Sequence, residues 1–540
     1  MRPLLLLLVF AFSLDASAQL TVVSTDPLGY GILPDGQGIS FLFSEPVNPS
    51  SIDGMVFLHG EVSGPREWTA AFSENDRRLT LSPVGDYVAG ERVQVQVPHT
   101  VRSTSGAALD HGYWITVNAA VSRGQLKQQE LTRWYLKQPN EATAEHNGGK
   151  IHSNGLLGSD VNQDGWPDLS VASGWPSDVR FYLGGPGGVS TDPEIRDLGS
   201  GNFQTSGYWP IDLTASDLNR DGVADLLVVQ PPATLMGVSG ELLTSGVSLE
   251  GDGDCLSSVV FDADADGYPD ILAAVGASLQ VRRNDGSGRF SAWGDPLPTG
   301  FSGGPWECRV ADLNLDGIAD ILAGRQSNEA AVFRGLGSGT YAEPERASNL
   351  GYWDVAQLDA DGIPDLVYSD PWNDLLKVAP GGDFEREWAA LITVDAAIGV
   401  RAADMDGDGD LDVVIGGWEG VVVHENQDAD LSRAVIHELE VPVGNMVVTD
   451  RDLDGDLDIT TLISSDWSGD PDELVLLENV AAPTWVEERP LEQRWRLYPN
   501  PTTGHIQLEA ALPVAVEIFD VMGRLVERLP AGTGQSDVSR

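Results

Sequence analysis

The sequence predicts an all-β chain, a seven-bladed β-propeller preceded by a β-sandwich and followed by a small incomplete β-domain. Three observations lead there. One nine-residue pattern recurs seven times at a spacing near 48 residues, the size of a four-stranded propeller blade. Glycine (61 of 540 residues) and proline (32) are frequent, which points to many tight turns and away from long helices. Short runs such as Ile39 to Phe43 (ISFLF) and Val93 to Val97 (VQVQV) alternate apolar and polar residues, as half-buried strands do. With 41% hydrophobic and 21% charged residues the chain can bury a core. Its formal charge of −50 sets it against nucleic acid and anionic membrane surfaces and in favour of cations.

Met1, Arg2 and the apolar run Leu4 to Phe12, followed by Ala16-Ser17-Ala18, read as a signal peptide over 1–18, with Gln19 opening the mature chain. The run is too short to span a bilayer and no later stretch reaches about 20 apolar residues, so no membrane insertion is expected. The remaining boundaries fall at 19–119 for the sandwich, 120–490 for the propeller and 491–540 for the C-terminal domain. Cys255 and Cys308, the two cysteines, are compatible with one disulfide in an exported protein.

The repeated pattern is Asp, any, Asp or Asn, any, Asp, Gly, any, any, Asp, then an aliphatic residue. Its oxygen-bearing positions 1, 3, 5 and 9 are Asp160, Asn162, Asp164 and Asp168; Asp217, Asn219, Asp221 and Asp225; Asp262, Asp264, Asp266 and Asp270; Asp312, Asn314, Asp316 and Asp320; Gln357, Asp359, Asp361 and Asp365; Asp404, Asp406, Asp408 and Asp412; and Asp450, Asp452, Asp454 and Asp458. Carboxylates and amides at these positions, with the carbonyl of position 7, can wrap a hard cation in oxygen at 2.3–2.6 Å. Position 6 is glycine in every copy, as a sharp turn with a left-handed dihedral requires. Position 12, where an EF-hand places its bidentate glutamate, is Val171, Val228, Ala273, Ala323, Tyr368, Ile415 and Thr461. The expected cofactor is therefore Ca²⁺, up to seven ions in a structural role, with the Gln357 loop the weakest site because it has one carboxylate fewer. The bland alternative is a set of metal-free Asx turns.

This nonapeptide, followed by strands such as VVIGG (Val413 to Gly417) and ILAG (Ile321 to Gly324), resembles the FG-GAP or VCBS repeat of integrin-α-like propellers. The resemblance implies that each loop joins the innermost strand of a blade to its second strand on the lower face, and that ligands bind at the upper face. It also implies that Glu130 to Pro139 supplies the outer strand of the last blade, beside Asp472 to Val480. On that topology the upper rim carries Trp175, Trp372, Trp418 and Trp467 after second strands, and Trp209, Trp306 and Trp353 before innermost ones. Asp178, Asp212, Glu307, Asp354, Asp370, Asn373, Asp374, Glu419 and Asp466 accompany them. Flat aromatic faces beside hydrogen-bonding groups suit sugar rings. The competing reading is that these tryptophans pack between blades.

FSEPVNPSSI (Phe43 to Ile52), LSP (Leu81 to Pro83) and TSGAAL (Thr104 to Leu109) resemble the bacterial Ig-like domain of the SbsA type, which implies a spacer or adhesion module. LYPNPTTGHIQLEA (Leu497 to Ala510) and VEIFDVMGRLVERL (Val516 to Leu529) resemble the type A sorting domain of the type IX secretion system, without the Gly-x-Tyr and basic strands that continue it. The localisation implied is secreted or on the outer cell surface. The leading expectation for function is non-catalytic binding of an extracellular glycan or a cell-surface protein, in adhesion or substrate capture. A polysaccharide-degrading lyase or hydrolase on the same scaffold is the alternative, and a purely structural scaffold a further one. No GxSxG elbow, HExxH helix or phosphate-binding loop is present, and no catalytic residue is assigned.

Overall fold

The computed structural model describes residues 19–479 except 53–55, 123, 125–128, 136–151, 176, 187, 198–212, 230–231, 239–240, 249–254, 303–304, 306, 326–328, 349–351, 360, 371–374, 385, 392–396, 398, 419, 428, 440–442 and 464–472. Beyond them it describes a few C-terminal strands. Among the described residues the only helix is the 3₁₀ turn Pro49–Ser51; all other regular structure is β.

The first module is a sandwich of a four-stranded and a five-stranded sheet. Alternation builds its core: Phe41 and Phe43, Leu79 and Leu81, Val93, Val95 and Val97, and Ile115 and Val117 point inward from their strands. The five-stranded sheet is buried on its other face as well, and that face is polar: His59, Gln96, Thr116 and Asn118 are all buried.

Seven four-stranded antiparallel sheets follow, numbered 1 to 7 here, and in the first six the strands lie side by side in chain order. In sheet 7 the strand Gln129–Tyr135 pairs with Glu473–Glu478, so the outer strand comes from the segment before sheet 1. Apolar clusters join each sheet to the next, from Val179 and Val228 between sheets 1 and 2 to Val414 and Ile459 between sheets 6 and 7. Leu156 and Tyr182 of sheet 1 also pack on Leu462 and Leu474 of sheet 7. A separate C-terminal unit, 483–540, pairs His505–Leu508 with Ser536–Ser539 and Val514–Phe519 with Leu525–Gly532.

The polar sandwich face is buried because it rests on the nonapeptide loops. The Asp160 N–H donates to the Val62 carbonyl at 2.8 Å, Gln96 Nε2 to the Asp262 carbonyl at 2.9 Å and the Trp114 N–H to the Gly317 carbonyl at 2.8 Å. His99 Nδ1 lies 2.8 Å from the Ala265 carbonyl and His111 Nε2 2.8 Å from that of Asp316, while the Ser122 N–H donates to Gly455 at 3.1 Å. Close approach excludes larger residues here: a Cβ on Gly112 would stand 2.0 Å from that of Ala265. On the same side of the sandwich Arg92 donates from both Nη atoms to Asp354 of sheet 5, at 2.8 and 2.6 Å.

Burial alone would raise the Asp354 carboxyl, but Arg92 and Arg309 outweigh it and hold it well below the usual carboxylate range. Replacing Arg92 by methionine leaves a wholly buried carboxylate short of its main counter-charge. We expect Arg92→Met to lower stability by about 3 kcal/mol in urea unfolding at pH 7.

Candidate metal centres

Each nonapeptide is held by its own carboxylates before any ion is considered. The position-1 aspartate accepts the N–H groups of positions 5 and 6: Asp160 from Asp164 and Gly165 (3.1 and 2.9 Å), Asp217 from Asp221 and Gly222 (3.0 and 2.9 Å), and Asp312 from Asp316 and Gly317 (3.1 and 2.7 Å). Asp262 and Asp450 repeat the pattern. The glycine at position 6 has φ between +80° and +96° in all seven loops, which is why only glycine appears there. Position 4 is left-handed too, at Gln163, Arg220, Ala265, Leu315, Gly407 and Leu453. A non-glycine residue gives up about 1 kcal/mol in that conformation, and the sequence pattern does not betray it.

The position-9 aspartate ties the loop to two strands. One oxygen accepts the N–H of position 2, as Asp168 does from Val161 (3.0 Å), Asp225 from Leu218 (2.9 Å) and Asp412 from Met405 (2.9 Å). The other accepts an N–H at the end of the third strand: Gly184 to Asp168 (2.7 Å), Asn284 to Asp270, Gly335 to Asp320 and Asn426 to Asp412 (each 2.8 Å), and Asn479 to Asp458 (2.9 Å). The side chains of these asparagines reach the preceding loop: Asn284 Nδ2 donates to Leu218, Asn426 to Leu358 and Asn479 to Met405. The nonapeptide pattern does not include them; RRN, HEN and LEN at the ends of three third strands are the signal the sequence carries.

The donor set fits a hard cation. Ligand oxygens of Asp262, Asp264 and Asp270 lie within 4.8 Å of one another, as do those of Asp404, Asp406 and Asp412, and of Asp450, Asp452 and Asp454. Glu478, unforeseen from the pattern, forms a further cluster with Asp452 and Asp458. Asp365 Oδ1, Asp452 Oδ1 and Asp458 Oδ2 are buried and make no hydrogen bond. The Gln357 loop departs from the other copies. The N–H that would serve Asp365, on Gly381, donates to Pro364 instead, and the Asp361 N–H goes to Asp359 at position 3, with no described bond to Gln357 at position 1. Arginines reach three loops: Arg283 pairs with Asp264 (2.6 Å) and Asp266 (2.9 Å), Arg334 with Asp320 (3.0 Å), and Arg451 with Glu478 and, at 3.7 Å, Asp458.

Burial, reinforced by neighbouring loop carboxylates, pushes Asp168, Asp270, Asp312, Asp365 and Asp450 up to about 7, and Asp412 and Asp458 up to about 8. Asp404 rises to about 6 by the same cause. These folded-state values lie above those of the unfolded chain. The metal-free fold therefore keeps their contribution below pH 4 and loses it as pH rises through 6 to 8. In chelator the melting temperature is expected to fall steadily between pH 5.5 and 8.5, as read by differential scanning calorimetry.

The aromatic rim resolves unevenly. Trp418 stands 51% exposed in the turn after the second strand of sheet 6, at the end opposite its loop. Trp353 corrects the expectation: at 1% exposure it packs between sheets 4 and 5 with Leu322 and Leu366, so it offers no face to a ligand. Trp209, Trp306, Trp372 and Trp467 lie outside the described residues, as do the side chains of Trp175 and Cys255, while Cys308 is buried on its strand. Asp178 and Asp354 are buried against Arg180 and Arg92, and Asp370 is buried with Lys377 3.4 Å away; none is a solvated rim acid.

Comparison with known proteins agrees with this architecture. A model of the FG-GAP-like repeat matches residues 160–228, 262–323 and 357–415, a bacterial Ig-like domain matches 16–116, and a secretion system C-terminal sorting domain matches 496–539. A phosphatidylinositol-glycan-specific phospholipase D of Dictyostelium discoideum is 27% identical over 203 residues, 35% of this chain and 19% of that protein. Among solved structures, BBS1N in its complex with ARL6DN has a TM-score of 0.46 at 10% identity, covering 66% of this chain and 98% of that one. An Agrocybe aegerita lectin specific for non-reducing terminal N-acetylglucosamine has a TM-score of 0.41 at 16% identity, covering 70% and 93%. The chain thus carries FG-GAP-like repeats, an Ig-like domain and a type IX sorting domain that directs secretion to the cell surface. No helix among the described residues is long and apolar enough to cross a membrane.

Proposed function

We propose that this secreted propeller protein binds an extracellular glycan or a cell-surface protein without catalysis, through the face opposite its nonapeptide loops, and that calcium in those loops stabilises it. The observation that carries the reading is the seat of the sandwich. Its polar face covers the loop side, where Gln96, His99, His111, Trp114 and Ser122 hold loop carbonyls, so the opposite ends of the sheets are the surface left for a partner. Trp418, half in solvent at that end, is the kind of flat apolar group on which a sugar ring stacks. Calcium follows from the donor set: clustered, buried carboxylates whose charge needs a compensating cation, at oxygens a hard ion prefers. Ions bound only by the folded loops add stability by mass action.

Native affinity electrophoresis through gels containing a panel of polysaccharides tests the binding. Retardation in calcium, lost in EDTA and weakened roughly tenfold by Trp418→Ala, is expected; tenfold corresponds to about 1.4 kcal/mol. Shortened polymer recovered from the gel would mark a degrading enzyme instead, and no retardation by any polymer would move the partner to a protein. Adding calcium to the metal-free protein at pH 8 is expected to raise its melting temperature; an unchanged value would refute the structural role of the ion.

A further inference from the structure

Arg309, Asp354 and Arg401 occupy one level of three adjacent sheets. Each stands three residues before the first position of its nonapeptide, at Asp312, Gln357 and Asp404, on the strands Glu307–Ala311, Trp353–Ala356 and Gly399–Ala403. Asp354 is already engaged. It receives both Nη atoms of Arg92, the Ala402 N–H at 2.9 Å and Arg309 Nη1 at 3.5 Å. Arg309 also holds Glu307 at 3.0 Å.

Arg401 is left over. Its one described hydrogen bond runs from Nη1 to the carbonyl of its own neighbour Val400, at 2.9 Å. A guanidinium has five N–H donors in a planar fork, so among the described residues most of this one meets no acceptor. Burial first, and then Arg309, lower its pKa against the opposing pull of Asp354, Glu307 and the exposed Glu61 of the sandwich. The sandwich contributes to this condition, because Arg92 occupies both carboxylate oxygens of Asp354.

We propose that Arg401, with Arg309 beside it, forms an oxyanion site that takes the carboxylate of an acidic sugar residue. The inference rests on the reading of the free face as a glycan-binding one and names its ligand class more closely. A planar carboxylate matches the guanidinium fork and offers acceptors to its open N–H groups. Arg92 reaches Asp354 from the sandwich, which lies on the loop side, so we place the approach of the ligand at the opposite ends of the sheets. The field of a chain carrying −50 opposes dense polyanions. A glycan with isolated uronic acid residues therefore suits the site better than a heavily sulfated one.

Isothermal titration calorimetry of the full chain in calcium, with sodium glucuronate and with glucose as probes, tests the site. Glucuronate is expected to bind at least tenfold tighter than glucose. Arg401→Gln should remove that preference, while Arg433→Gln, an exposed change of equal charge, should leave it. Equal binding of the two sugars, or a preference that survives Arg401→Gln, would overturn the proposal. Should Arg401→Gln fail to fold, Arg401→Lys keeps the charge and loses the fork; an at least fivefold weaker affinity for glucuronate supports the site and an unchanged one overturns it. Retardation of Arg401→Gln in neutral-polysaccharide gels separates failure of this site from failure of the glycan reading.

Discussion

The position-9 aspartate is the group on which the repeat depends. Asp168, Asp270, Asp320, Asp412 and Asp458 are buried where loop, second strand and end of third strand meet, and each accepts one backbone N–H from the end of that third strand. A carboxylate in that position satisfies backbone donors that no aliphatic side chain could. It also concentrates negative charge where water is excluded, and its neutralisation by protons or by a cation is then coupled to folding. The same few atoms therefore set the local geometry, the acid–base behaviour and the demand for a metal.

The sandwich exploits the shape of those loops without competing for their ligand oxygens. Its donors take the carbonyls of Asp262, Ala265, Asp316, Gly317 and Gly455, which belong to positions 1, 4, 5 and 6; the position-7 carbonyl is untouched in these contacts. Loop conformation and module docking are thus two readouts of one backbone arrangement. Arg92 adds a strong electrostatic tie, and because Asp354 is wholly buried, that tie works with little screening by salt.

Much of this was legible in the residues. The nonapeptide locates the loop and the strand after it, because glycine at position 6 and aspartate at position 9 are dictated by local backbone chemistry. The strand Gln129–Tyr135 also pairs where the segment 130–139 was expected to. What the sequence hides is non-local. Gln96, Thr116 and Asn118 alternate like solvent-facing residues, yet they are buried, Gln96 against the Asp262 carbonyl of the propeller and Thr116 and Asn118 against Tyr30. Asp354 and Trp353 read as rim residues on topology, and both are buried by partners about 260 and 30 residues away, Arg92 and Leu322. Glu478 joins a ligand cluster only through strand pairing, which no local pattern reports.

Hydrogen exchange of the full chain, followed by mass spectrometry in calcium and in EDTA, tests the central claim that loop ions, loop geometry and sandwich docking form one coupled system. The account predicts that EDTA removes protection from the seven nonapeptides and, together with them, from the sandwich segments 96–99 and 111–114 and from residue 122 just after the sandwich, which rest on the loops. Loss of protection in the loops with the sandwich segments unchanged, or no change in either, would contradict it.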